Sequence, residues 1–242
     1  MRFFYDPNIS GEIHTLSEEE SNHCARVLRL KINDEIFVAD GNGTLHRALI
    51  ETIDHKHTTI RVVETIPEYN KLPYRLHIAV APTKNMDRME WFLEKATEIG
   101  ISEITPIICK NSERKIIKTD RLNRIAEAAM KQSYKAYHPI INEPIKFSDF
   151  IKNDTSDQKF VAYCEDNVQR IYLANALTPK SSVTILIGPE GDFTHEEIDA
   201  ALKQYIPVTL GSSRLRTETA ALVACDIVSI VNQIASSQSK SR

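Results

Sequence analysis

The spacing of hydrophobic and polar positions changes near residue 70. Before it, short alternating runs dominate. Glu35-Ile36-Phe37-Val38-Ala39 reads as a strand, Asp40-Gly41-Asn42-Gly43 as a tight turn, and residues 44–53 and 58–65 as two further β-rich segments. One helix signal interrupts them. Ser17-Glu18-Glu19-Glu20 has a serine for the orphan amides and a glutamate three residues on, a capping box whose helix is expected to run to Val27. A small β-barrel or sheet is the predicted product over residues 1–70, and the stretch from Pro67 to Pro73 is read as a linker.

Beyond the linker, strand and helix periods alternate. Strands are predicted at 76–80, 104–109, 159–164, 182–187 and 208–210. Between them fall a helix carrying Met86, Met89, Leu93 and Ala96 on one face and stopped by Gly100, and a helix capped by Thr119 with a stripe of Leu122, Ile125, Ala126, Ala129 and Met130. A short helix is expected at 168–177, and Thr194-His195-Glu196-Glu197 is a second capping box opening a helix through Lys203. The last helix, 218–234, is apolar nearly all round, so it must be buried on most sides and predicts a partner subunit. Alternation of this kind implies an open, mostly parallel α/β sheet over residues 74–235. Residues 236–242 are expected to be a disordered tail.

Composition changes this picture little. Of 242 residues, 42% are hydrophobic and 26% charged, ordinary for a folded soluble chain. No continuous apolar run approaches the ~18 residues of a membrane span, and the acidic break at Asp6 argues against a signal peptide. Cys24, Cys109, Cys164 and Cys225 form no Cys-x-x-Cys pair and read as buried free thiols of a cytoplasmic protein. The net charge of -3 does not point to nucleic acid, and its distribution is uneven. From Lys110 to Lys135 eight basic residues face only three acidic ones, a stripe able to follow a phosphate backbone or to serve as a solvated helix face. His55-x-His57 has no third ligand nearby, so no metal is expected. There is no G-x-G-x-x-G after the first strand and no Walker A motif.

Ligands of open α/β sheets bind at the carboxyl ends of strands. Two such ends carry unusual residues. Ile187-Gly188-Pro189-Glu190-Gly191-Asp192 combines two glycines with a stiffening proline. Leu210-Gly211-Ser212-Ser213-Arg214-Leu215-Arg216-Thr217-Glu218-Thr219-Ala220 leads into the final helix with two arginines, a glutamate and two threonines, suited either to local capping or to lining a pocket. Taken together, Ile187-Gly188-Pro189-Glu190-Gly191, Leu210-Gly211 and Leu215-Arg216-Thr217-Glu218-Thr219-Ala220 resemble the signature of the RsmE family, methyltransferases of the SPOUT class. Looser matches are Arg2-Phe3-Phe4, His23-x-x-x-Val27-Leu28-Arg29, Lys84, Glu94-Lys95-x-x-Glu98-x-Gly100, Ser112-Glu113-Arg114 and Gln132-Ser133. The chain departs from the family where Asp192 replaces a third glycine and where Tyr134-Lys135 replaces a Gly-Arg pair.

The resemblance implies a PUA-like RNA-binding barrel, a trefoil-knotted SPOUT domain that forms a homodimer, and S-adenosylmethionine as cofactor. It implies methylation of uridine N3 in 16S ribosomal RNA of the small subunit. Cofactor contacts are expected from Ile187, Gly188, Pro189, Glu190, Gly191, Leu210, Gly211, Leu215, Thr219 and Ala220, largely through backbone groups. Uridine N3 is nucleophilic only after its proton leaves, and in a duplex its base must be unpaired or flipped. Arg216 is the expected stabiliser of the charge that then spreads to O2 and O4, and Glu218 either the proton acceptor or a loop anchor. Phosphate contacts are expected from Arg26, Arg29, Lys31, Lys84, Arg114, Arg121, Lys131 and Lys135. Two alternatives stay open: a SPOUT enzyme acting on another RNA, such as a tRNA ribose 2′-OH, and a non-catalytic ribosome-assembly factor.

Overall fold

The computed structural model describes residues 1–164 and 169–240. They divide into two units, Met1–Lys71 with Glu127–His138, and Leu72–Ala126 with the chain from Pro139 onward. In the first, β1 (Phe3–Tyr5), β2 (Ile13–Thr15), β3 (Glu35–Ala39), β4 (Leu45–Thr52) and β5 (Thr59–Ile66) form one sheet in the order β1-β3-β4-β5-β2. β1 runs parallel to β3 and the other pairs are antiparallel. Phe4, Leu16, Cys24, Ile36, Val38, Ala48, Ile50 and Ile60 make its core.

The first helix differs from its sequence reading. α1 (Glu18–Asn22) is capped by Ser17, whose Oγ accepts the Glu20 N–H at 3.3 Å, and the chain then winds as a π-helical turn over His23–Val27. The reciprocal half of the capping box is missing because the Glu20 carboxylate turns inward. Its Oε1 accepts the Tyr5 N–H at 3.3 Å and a bond from Lys131 Nζ at 2.8 Å.

The second unit is built from β6 (Arg75–Val80), α2 (Met86–Ile99), β7 (Glu103–Ile108), α3 (Thr119–Gln132, counted with the first unit from Glu127), β8 (Ile140–Ile141), β9 (Ile145–Lys146), α4 (Phe147–Asn153), β10 (Gln158–Ala162), β11 (Ile171–Tyr172), α5 (Leu173–Ala176), β12 (Ser182–Ile187), α6 (His195–Ala201), β13 (Ile206–Thr209) and α7 (Thr217–Lys240). The strands run in the order β11-β13-β10-β12-β6-β7-β8, every pair parallel, with β9 also against β7. Such a sheet must be covered on both faces, and its side chains divide accordingly. Leu76, Ile78, Val80, Phe160, Ile185 and Ile187 meet Phe92, Leu93, Ala221, Ala224 and Val228 of α2 and α7. Ala79, Val161 and Leu186 meet Phe147, Phe150, Phe193 and Ile198 on the other side.

Where a helix is expected at 168–177, the structure has β11 and the single turn α5, and Val168 lies outside the described residues. α7 continues to Lys240, past the expected end at Ile234 and through most of the segment expected to be disordered; residues 241 and 242 lie outside the described residues. By length and composition its Thr217–Gln238 stretch is apolar enough to cross a bilayer, which the sequence reading missed because Asp226 and Asn232 interrupt the run. Here it packs along one side on α2, β6 and β12, and 39% of the stretch is buried, less than the burial on most sides expected of it.

At the amino ends of the strands a polar network surrounds a cavity of about 260 Å³. His77 lies 2.7 Å from Thr105 Oγ1 and 3.8 Å from Glu103, and Asn142 Nδ2 donates to both Glu103 and Thr105. Burial holds the His77 imidazole below its ordinary value, while Glu103 and Asp154 pull the other way. The unfolded chain therefore takes up a proton below pH ~6.5 that the folded chain resists, and stability is lost as pH falls through that value. In urea melts, the stability of wild type relative to His77→Gln is expected to fall between pH 7 and pH 5, by at most about 1.4 kcal/mol per pH unit. A gap that widens instead would contradict a neutral His77.

Candidate functional site

The carboxyl ends of β10, β12 and β13 open onto one cavity of about 610 Å³, within the roughly 300–1,000 Å³ usual for small-ligand sites. Its walls are apolar at Ile187, Val208, Leu210, Leu215 and Ala220, and its charged side chains are Arg170, Arg214, Arg216, Glu190 and Asp192. Three loops form it, and side chains tie them together. Thr217 at the start of α7 donates its hydroxyl to Gly188 O at 3.0 Å, fixing the loop after β13 to the loop after β12. Asp192 Oδ2 accepts the Cys164 N–H at 2.9 Å, joining the loops after β12 and β10, while its Oδ1 accepts the Phe193 N–H at 2.8 Å. Asn111 Nδ2 donates to the carbonyls of Gly191 and Asp192, and Glu190 Oε1 accepts the Lys84 N–H. Behind the turn, the capping box Thr194–Glu197 is complete.

Asp192 has φ +60° and Tyr134 φ +55°. Both stand where the resembled family has glycine, so the two departures share one cause. Each position needs left-handed backbone, which glycine adopts freely and aspartate tolerates better than most residues. Asp192→Ala removes both side-chain acceptors at a strained position, and is expected to weaken cofactor binding about 10-fold or more, while Asp192→Asn, which keeps one acceptor and tolerates the left-handed backbone, is expected to lose less. Calorimetry on both variants checks this ordering; equal losses would contradict it.

Of the ten residues expected to hold the cofactor, eight line the cavity; Gly191 and Thr219 do not. The glycines serve different needs. A Cβ on Gly188 would lie 3.0 Å from the Phe193 ring and one on Gly191 3.3 Å from Asn111, so a larger residue at either position would make those side chains give by a few tenths of an ångström. Gly211 has φ +143° with no atom within 4 Å of an added Cβ, so its requirement is backbone conformation. Arg216 is exposed and lines the cavity. Glu218 does not. It is 7% exposed, its Oε1 lies 3.7 Å from Arg88 Nε, and its Oε2 has no hydrogen-bond partner among the described residues. Sequence reasoning missed Arg170 and the loop after β10, although the rule of carboxyl ends applies to that strand too. Cys164, expected to be buried, is exposed and lines the cavity.

The expected phosphate contacts fare differently. In the first unit Arg26, Arg29 and Lys31 are exposed, whereas Lys131 has a side chain 20% exposed between Glu20 and Glu127, and Lys135 is half-buried. In the second, Lys84 pairs with Glu113, Arg114 donates to Lys84 O, and Arg121 pairs with Glu90.

Comparison with known proteins identifies the family. The RNA methyltransferase domain family matches residues 70–229 and the RNA methyltransferase PUA domain family residues 16–63. The ribosomal RNA small subunit methyltransferase E of Rickettsia conorii is 30% identical over 89% of this chain and 88% of its own. A crystal structure from Porphyromonas gingivalis, named "probable rRNA-methyltransferase", superposes with a TM-score of 0.91 at 40% identity, covering 97% of this chain and all of that one. A methyltransferase from Legionella pneumophila, solved with bound S-adenosylmethionine, has a TM-score of 0.82 at 27% identity and covers 94% and 96% of the two chains.

Proposed function

The chain belongs to the RsmE family of RNA methyltransferases, and from that premise we propose that it methylates N3 of a uridine in 16S ribosomal RNA of the small subunit, with S-adenosylmethionine as donor. The observation that carries this reading is the cavity at the carboxyl ends of β10, β12 and β13, whose loops hold the family's glycine turn and Leu-Arg-Thr-Glu-Thr run. Its size and its apolar walls with charged side chains among them fit the cofactor.

When bound, S-adenosylmethionine supplies an electrophilic methyl group. The chain's own residues align and stabilise. Ile187, Gly188, Pro189, Glu190, Leu210, Gly211, Leu215 and Ala220 form the walls that orient the cofactor and exclude water. Arg216, exposed at the cavity, faces the charge that develops on the uracil oxygens once N3 loses its proton. Glu218, buried beside Arg88 and away from the cavity lining, fits the anchor role and holds the start of α7. Arg26, Arg29 and Lys31 are the exposed cations of the PUA-like unit that we assign to phosphate.

The finer parts of this reading are a trefoil knot threaded by the loops of the cavity, a homodimer and a cytoplasmic enzyme. Ile230 and Ile234, one helical turn apart on α7, are 44% and 52% exposed, an apolar strip suited to a second copy. Nucleoside mass mapping of 16S RNA from cells with and without the gene tests the activity. The expected result is a 3-methyluridine that disappears on deletion and returns on complementation; an unchanged profile would overturn it.

A further inference from the structure

S-adenosylmethionine carries a carboxylate at its amino-acid end. Taking a carboxylate out of water requires donors, and arginine meets it with a planar fork of N–H groups. Three arginines line the cavity: Arg170, Arg214 and Arg216. Arg214 and Arg216 are exposed, on the loop between β13 and α7. Arg170 differs from both. It is half-buried, its Nη1 donates to Tyr163 O at 2.6 Å, and the next two residues are β11, hydrogen-bonded alongside β13. Its guanidinium is thus oriented by the Tyr163 carbonyl, with most of its N–H donors left without a partner among the described residues.

Nothing acidic in the described structure satisfies it. Among the described residues no carboxylate lies within ion-pair distance of Arg170, and the two acids of the cavity have other work. Asp192 spends one oxygen on the Phe193 N–H and the other on the Cys164 N–H, and Glu190 accepts from Lys84 N. A half-buried cation held by a carbonyl, with no acidic partner among the described residues and in a cavity of this size, suits an anionic group of the ligand.

We propose that Arg170 binds the carboxylate of the cofactor's amino-acid end. This rests on the cavity being the S-adenosylmethionine site. Arg170 then sets the position of the sulfonium within the cavity by holding the far end of the molecule, and gives the site a preference for ligands that keep the carboxylate.

The test is calorimetry of wild type and Arg170→Gln with S-adenosylmethionine and with decarboxylated S-adenosylmethionine, which lacks only that carboxylate. Wild type is expected to bind the decarboxylated compound roughly 10- to 100-fold more weakly. Arg170→Gln is expected to lose a similar factor for S-adenosylmethionine, and to bind the decarboxylated compound within about threefold of wild type. Equal weakening of both ligands by the substitution, or no weakening of either, overturns the assignment while leaving the cofactor site intact. Wild type that binds neither ligand overturns the cofactor site itself, and this assignment with it. The comparison of the two ligands on wild type needs no variant to fold, and equal affinities there also overturn the proposal.

Discussion

Replacing Arg216 with alanine is expected to cut methyl transfer by roughly 100- to 1,000-fold, the usual cost of removing one donor aimed at developing charge, while cofactor affinity stays within a few-fold. The two effects separate because Arg216 is one of three arginines on the cavity and sits on its exposed rim, where no ion pair among the described residues holds it. The walls proposed to contact the cofactor survive its loss. Single-turnover transfer to 16S RNA together with calorimetry of S-adenosylmethionine makes the check. Transfer that is unchanged removes Arg216 from the chemistry, and affinity that collapses with it makes Arg216 a cofactor ligand instead. Glu218→Gln is the companion measurement. If Glu218 anchors α7, the variant loses stability and transfer together; if it accepts the N3 proton, transfer falls alone.

Lys131→Met is expected to destabilise the first unit by about 3 kcal/mol, the cost of leaving a buried carboxylate without its partner. Glu20 is only 3% exposed and its Oε1 is held by Lys131 Nζ at 2.8 Å, with Glu127 on the same ammonium at 3.1 Å. The lower end of the range applies because a fifth of the Lys131 side chain still reaches water. Adding Glu20→Gln to Lys131→Met should recover most of the loss, since the uncompensated charge is then gone. Denaturant melts of the three proteins decide it. If Lys131 instead contacts phosphate and contributes nothing to folding, Lys131→Met will melt like wild type and the salt slope of RNA binding will fall.

How far the site could be read from the sequence depended on the range of the interaction. The turn at Gly188–Gly191 and the charged start of α7 stand out as local residue patterns, because glycine, proline and capping residues act within a few positions of themselves. Asp192 and Tyr134 were visible as departures from a glycine pattern, but only their positive φ angles explain why glycine is the alternative. The Thr217 hydroxyl on the Gly188 carbonyl spans 29 positions and leaves no trace in either segment. Arg170 had no signal at all beyond lying after a strand. The three-residue strands β1 and β2 and the two-residue strands β8, β9 and β11 are too short to show a period, and pairing with long neighbours alone defines them.

The sequence by itself determined the change from alternating to mixed periods near residue 70, the parallel α/β character of the larger part, and two of the three loops that line the cavity. These follow from hydrophobic period and from the conformational limits of glycine and proline, which are properties of short stretches of chain. Tertiary structure alone decided that Glu20 abandons its capping box for Lys131, that Glu218 faces Arg88 rather than the cavity, and that Arg170 joins the loops after β12 and β13. The first two are each the choice of a partner for a charge, and the third brings a charge into the cavity without an acidic partner among the described residues. A charge removed from water must find a counter-charge or donor wherever the fold brings one within reach, and sequence spacing does not record where that is.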